Sequence, residues 1–193
     1  MNFFEHQAAA RRMSSRLLLL FALAVAGIVA AVDAVAWLLT GSVQVVAFTS
    51  VATLAVIGFG SMYRIASLRG GGDAVALQMG GVPVPEDATD LNLRRLRNVV
   101  EEIAIASGVP VPRVYVLEHE AAINAFAAGY SSSDAVVAVT RGALDRLNRD
   151  ELQGVIAHEF SHILNGDMRL NIRLVGLLFG IMVLALIGRK ILE

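Results

Sequence analysis

Apolar positions along this chain gather into three long runs, with one region of mixed pattern between the second and the third. Residues 17–39 (LLLLFALAVAGIVAAVDAVAWLL) are 23 residues carrying one charge, Asp33. As a helix rising about 1.5 Å per residue, the run reaches roughly 35 Å, enough to cross the hydrocarbon core of a bilayer. Residues 43–63 (VQVVAFTSVATLAVIGFGSMY) are 21 residues without a charge, and only Thr40, Gly41 and Ser42 separate the two runs. The pattern predicts a transmembrane helical hairpin over 17–65. The third run, 174–187 (LVGLLFGIMVLALI), has 14 uncharged residues. That is short for a span and suits a re-entrant or interfacial helix equally well, so 171–193 is a possible third span.

Between Arg69 and Leu170 the pattern becomes that of a water-facing domain. RGGGD (69–73) reads as a flexible exit from the membrane, and GGVPVPEDATD (80–90) as a loop ending in Thr89 or Asp90 as a helix cap. Leu93, Leu96, Val99, Val100 and Ile103 then recur at helical spacing over 91–107, closed by Gly108 and Pro110. RVYVL (113–117) and DAVVAVT (134–140) are predicted strands, the second continuous enough in apolar residues to be central, with SSSD (131–134) as the turn before it. A short helix over roughly 142–147 is followed by a longer one reaching Gly166, for which Asp150 is the predicted cap.

Positive charge sets the orientation. Arg11, Arg12 and Arg16 precede the first span, the turn has none, and Arg64 and Arg69 follow the second. The positive-inside rule then puts the segment 1–16 and everything after Arg64 in the cytoplasm. The same arginines, with Ala34 to Ala36 downstream, imitate a secretory signal. The apolar run is longer than a signal core and continues through Trp37, Leu38 and Leu39. A retained span is therefore expected. Asp33 lies within two turns of the outer end, from which its carboxylate is expected to snorkel to the headgroups.

Composition narrows the chemistry. Apolar residues make up 56% and charged residues 17%, the balance of a membrane protein. A net charge of −1 gives no electrostatic case for a nucleic-acid partner. With no cysteine in the chain, any metal must be held by His, Asp or Glu.

Two of the four histidines stand in one apolar stretch, VIAHEFSHILNGD (155–167). Residues i and i+4 of a helix share a face, so His158 and His162 can aim imidazole nitrogens at one ion. Glu159 is offset along the same cleft, placed to reach a water on that ion without ligating it. This is the H-E-x-x-H arrangement of zinc peptidases, in which zinc acidifies water and the glutamate takes the proton. Burying His and Glu among Ile156, Phe160 and Ile163 is costly unless they are paired or metal-bound.

The ordered set NAFAAG (124–129), VVAVTRGAL (136–144) and RDELQGVIAHEFSHILNGDM (149–168), after a hairpin and before an apolar segment, resembles the HtpX-type membrane zinc peptidases. These are H-E-x-x-H gluzincins related to the CAAX prenyl endopeptidases. The resemblance implies an α+β fold: a transmembrane hairpin, a small zincin-like α/β domain over 70–170, and a C-terminal hydrophobic helix. It implies Zn2+ on His158 and His162 and Glu159 as catalytic base. Asn124, Ala125, Phe126 and Ala127 are expected to hold an extended substrate by strand addition. Asp167 either orients a ligand histidine or belongs, with Asn165 and Gly166, to a helix-terminating turn.

In such peptidases the third ligand is a glutamate from a helix well downstream. Glu193 has neither the spacing nor the surroundings of that ligand, so the peptidase domain reads as an incomplete N-terminal portion. Glu118, His119 and Glu120 read as a solvated loop cluster rather than a replacement, and His6 as unrelated to the site. The resemblance implies a multi-pass protein of the bacterial cytoplasmic membrane, its cleft facing the cytoplasm. Expected partners are the lipid bilayer and protein substrates, namely misfolded or membrane proteins. The alternative is a catalytically silent scaffold or regulator that keeps the fold.

Overall fold

The structure, a computed structural model, describes residues 3–193, with side chains for residues 16–190 and for Glu193. It divides into two compact units: residues 1–66 with 173–193, and residues 67–172.

The first unit is helical. Helix α1 (Phe3–Thr40) runs unbroken through the predicted polar segment, so among the described residues no separate element precedes the span. Helix α2 (Val43–Ser67) follows after a two-residue link. Gly41 turns the chain with φ +60°, the left-handed conformation that glycine adopts without a Cβ clash, and its N–H bonds the Trp37 carbonyl at 2.8 Å. Asp33 does not snorkel. Its carboxylate accepts from the Thr49 hydroxyl at 2.7 Å and the Ser50 hydroxyl at 2.5 Å, joining α1 to α2. In a medium without water, two donors across the helix pair satisfy the acid better than a stretched side chain would.

Helix α7 (Met168–Leu192) is longer than its apolar core, because Asn171 and Arg173 are carried inside it rather than before it. Its stretch Met168–Lys190 is 23 residues, long and apolar enough to cross a membrane. The α2–α7 seam is built from small residues. A Cβ on Gly180 would strike the Ile57 carbonyl and the Ser61 hydroxyl, and one on Gly60 would lie 3.1 Å from the Gly180 Cα. Ser61 donates to the Leu177 carbonyl at 2.9 Å across this close approach.

The second unit is α+β. Its sheet has the order β1-β2-β4-β3, from β1 (Val82–Pro83), β2 (Arg113–Leu117), β3 (Ala125–Ala128) and β4 (Val136–Thr140). Strands β2 and β4 are parallel and the outer pairs antiparallel. All five residues of β4 are buried, which is why its sequence is a continuous apolar run rather than an alternating one. On one face Val116, Val137 and Val139 pack under helices α4 (Leu91–Ser107) and α6 (Arg149–Asn165), against Leu96, Val100, Leu152, Ile156 and Phe160. On the other face Tyr115, Val136 and Ala138 meet Ala76 of the short helix α3 (Gly72–Gln78). Helix α5 (Arg141–Arg146) links β4 to α6.

Asp90 caps α4, accepting from the N–H groups of Asn92 and Leu93, and the Asn92 amide first, then the Arg141 guanidinium, hold its carboxyl below the usual range. The glycines of RGGGD are not a flexible exit. Gly71 and Gly72 are buried, and a Cβ on Gly72 would lie 2.5 Å from the Ala128 carbonyl and 2.7 Å from that of Asp134. They are glycines because the β3–β4 loop passes directly over them.

Candidate active site

Helix α6 is set in place before any chemistry is considered. Asn148 accepts from the N–H groups of Asp150 and Glu151 at 2.9 Å each, and the Glu151 carboxylate returns a bond to the Asn148 N–H at 2.8 Å. This capping box makes Asn148 the cap and places Asp150 in the first turn, two positions further on than expected. Gly166, with φ +69°, closes the helix. Leu152, Ile156, Phe160 and Ile163 are buried at spacings of three and four, which fixes the rotation of the helix. His158 and His162 consequently lie along its flank, and Glu159 turns inward with 9% exposure.

The two imidazoles converge. Their Nε2 atoms are 3.3 Å apart, with ring centroids 4.9 Å apart and planes at 85°. Two nitrogens on one tetrahedral zinc, each at about 2.0–2.1 Å, stand about 3.3–3.4 Å from one another. The observed spacing fits zinc without rearrangement. Behind them, the Asp167 carboxylate holds the Nδ1 of His162 at 2.9 Å. Asp167 thus bonds His162 as well as belonging to the turn after α6. A carboxylate on Nδ1 fixes the proton there and leaves Nε2 as a lone-pair donor, the tautomer a metal needs. The Asp167 hydrogen bond is also the main reason that the metal-free His162 imidazole is pushed above its ordinary pKa. The other oxygen of Asp167 is buried with no partner in the structure.

Glu159 reaches the sheet. Its Oε2 accepts the N–H of Ala127 at 3.0 Å. Burial holds its carboxyl above the usual range, outweighing the opposing pull of His162, the Ala127 amide and His158. Strand β3 is an edge strand, and its pairing explains the contact. Ala125 and Ala127 stand opposite Val139 and Val137, while Thr140 donates to the Asn124 carbonyl at 3.0 Å. In an antiparallel pair such bonds alternate, so Ala125 and Ala127 turn their backbone groups away from β4. Asn124 caps its own neighbour, its Oδ1 accepting the Ala125 N–H at 2.9 Å. Phe126 instead packs against the second core.

Thr140 is the residue that sequence reasoning missed. Its hydroxyl meets the Asn124 N–H at 3.0 Å and the Ala122 carbonyl at 2.6 Å, anchoring the start of β3. As the one polar residue ending a buried apolar strand, it carried a signal that could have been read. Glu118 is engaged elsewhere, in a 2.8 Å ion pair with Arg141, which also reaches Asp90 at 3.1 Å; His119 and Glu120 are exposed. Among the described residues no group of three His, Asp or Glu side chains is set to hold a metal. His6 lies among residues whose side chains are not described.

Comparison with known proteins gives a consistent result. The model of peptidase family M48 matches residues 90–192. A Protease HtpX homolog of Pediococcus pentosaceus is 47% identical over 93 residues, covering 48% of this chain and 31% of that protein. The Protease HtpX homolog of Caldanaerobacter subterraneus is 46% identical over 112 residues, 58% of this chain and 36% of its own length. That of Dictyoglomus turgidum reaches 55% identity over 75 residues, 39% and 24% respectively. The chain spans roughly a third of the length of these curated relatives.

Proposed function

The chain belongs to peptidase family M48, in its HtpX-type branch, and from that premise we propose that residues 155–167 form the metal-binding half of a zinc-dependent membrane endopeptidase. Membership supports a membrane-embedded metallopeptidase in general terms, and three apolar helices of spanning length agree with it. The finer reading rests on one observation above the others: two Nε2 atoms 3.3 Å apart, one of them backed by a carboxylate.

In this reading His158 and His162 hold zinc through Nε2, and a glutamate from outside residues 1–193 completes the set. When bound, zinc supplies Lewis-acid polarisation of a carbonyl and lowers the pKa of water toward about 7. The chain's own residues do the rest. Glu159 is anchored through Oε2 by the Ala127 amide, which leaves Oε1 as the atom that accepts a proton and later returns it to the leaving amine. Its raised pKa makes it a better proton acceptor than an ordinary carboxylate. An extended substrate pairs with the outward carbonyls of Ala125 and Ala127, adding a strand to the sheet edge. Asn124 is placed to exchange its bond to the Ala125 amide for one to substrate. Substrates are misfolded or membrane proteins, reached from the cytoplasmic side that the charge rule assigns to the domain.

The test is Glu159→Gln in the full-length protein. Proteolysis should disappear while the zinc content stays at one per chain. Proteolysis retained in that variant removes Glu159 as the base, and proteolysis absent from the wild type as well favours the silent-scaffold reading.

A further inference from the structure

The corner between β4 and α5 carries a buried hydroxyl that the peptidase chemistry does not use. Thr140 is 4% exposed and ends a strand that otherwise reads Val136, Val137, Ala138 and Val139. Valine has the same shape and would continue that strand with no polar atom to bury, so the hydroxyl needs a reason. Its bonds supply one. A hydroxyl offers one proton and two lone pairs. At Thr140 the proton goes to the Ala122 carbonyl, 2.6 Å away, and the lone pairs take the N–H of Asn124 at 3.0 Å and that of Ala143, in the first turn of α5, at 3.3 Å. Backbone bonds run alongside: the Thr140 N–H donates to the Asn124 carbonyl and the Gly142 N–H to the Glu120 carbonyl, each at 3.0 Å. A Cβ on Gly142 would strike the Ala121 carbonyl, so the corner and the chain crossing it are in direct contact.

The chain held in this way leads into the edge strand. Glu120, Ala121, Ala122, Ile123 and Asn124 are all exposed. Burying little apolar surface, they take their place from hydrogen bonds, and segments of that kind are the readiest to open. Asn124 is the last of them, and its Oδ1 accepts the outward N–H of Ala125, the first residue of β3, at 2.9 Å. Thr140 grips Asn124 by both backbone groups, the hydroxyl taking its N–H and the Thr140 N–H giving to its carbonyl. With both groups fixed, the Asn124 side chain leaves the backbone at one place, directly beside the edge.

We propose that Thr140 is a positioning residue for substrate binding, its buried hydroxyl holding Asn124 so that the Asn124 side chain and the outward groups of Ala125 meet an extended peptide together. It rests on the reading of β3 as the edge that takes substrate. Thr140 touches neither substrate nor metal and acts through Asn124, so its loss weakens peptide binding and leaves the bond-breaking step and the zinc site as they were.

Steady-state cleavage of an extended peptide by the zinc-loaded full-length protein tests this. Thr140→Val should raise KM about tenfold, the worth of one hydrogen bond to substrate, with kcat within about twofold of wild type and zinc content unchanged. Thr140→Ser keeps the hydroxyl and should hold KM near the wild-type value. In an Asn124→Ala background, Thr140→Val should add less than about twofold to KM, because the side chain it places is already gone. Gly142→Ala presses on the Ala121 carbonyl with the hydroxyl still present. The exposed segment yields outward there, so this variant should fold and raise KM even where Thr140→Val does not fold. An unchanged KM in folded Thr140→Val, or in Gly142→Ala, overturns the proposal. So does a loss carried by kcat or by zinc content, a Thr140→Ser as impaired as Thr140→Val, or effects that simply multiply in the double variant. None of these outcomes bears on Glu159, whose role fails separately if Glu159→Gln still cleaves.

Discussion

Asp167 offers the sharpest perturbation of the proposed metal site, because it touches the proposed ligand His162 and is not itself proposed to hold the metal. Its Oδ2 lies 2.9 Å from the Nδ1 of His162, and replacing Asp167 by Ala removes that acceptor while leaving both imidazoles in place. Loss of such an outer carboxylate costs 10–100-fold in metal affinity, about 1.4–2.7 kcal/mol. The fold should tolerate the change. The Asp167 side chain is about two-fifths exposed, and the backbone bonds that start α7, from Leu170 and Asn171 to the Asp167 carbonyl, do not involve it. Competition against a chromophoric chelator would measure zinc affinity in the full-length protein, and circular dichroism would monitor folding. The metal-free protein supplies a second signal with a definite sign. His162 has a raised pKa, so its pairing with Asp167 stabilises the fold fully below the ordinary histidine value near 6.5 and fades as pH rises through the folded pKa. Metal-free wild type should therefore lose a small increment of stability between mildly acidic and alkaline pH that Asp167→Ala lacks. Zinc affinity within twofold of wild type in a folded variant would refute the orienting role.

Two further outcomes test how the site is positioned. Asn148→Ala breaks the capping box of α6 and should lower stability by about 1 kcal/mol in denaturant unfolding, with His158 and His162 still able to hold zinc once folded. Gly72→Val forces a side chain against the carbonyls of Ala128 and Asp134 and should destabilise the second unit by more than 2 kcal/mol, seen as early protease cleavage near β3; a neutral result would restore the flexible-linker reading of 69–73.

What the sequence disclosed follows the range of the interactions involved. The H-E-x-x-H pair was legible because an i, i+4 spacing on a helix determines its own geometry, and the 3.3 Å between nitrogens is that spacing realised. The spans were legible from run length alone. Asp33 was misread because its partners, Thr49 and Ser50, belong to another helix, and nothing local marks a pairing across sixteen or seventeen residues. The glycines at 70–72 were misread because glycine serves loose chain and crowded chain equally. Asn148 and Asp150 are both good capping residues, and the choice between them was made by Glu151, which stands three residues after Asn148 and completes the box. The third helix was underestimated because its apolar run was ended at Arg173, whereas a helix continues through an arginine that has solvent or headgroups to face. Strand β1 is two residues, one of them Pro83, too short for any periodicity to register.

His158 and His162 are proposed to bind one metal together. X-ray absorption at the zinc edge of the full-length protein measures this directly. Two histidine nitrogens at about 2.0–2.1 Å are expected in the wild type, and one in His158→Ala. A coordination shell without histidine, or a histidine count unchanged by that substitution, would contradict it.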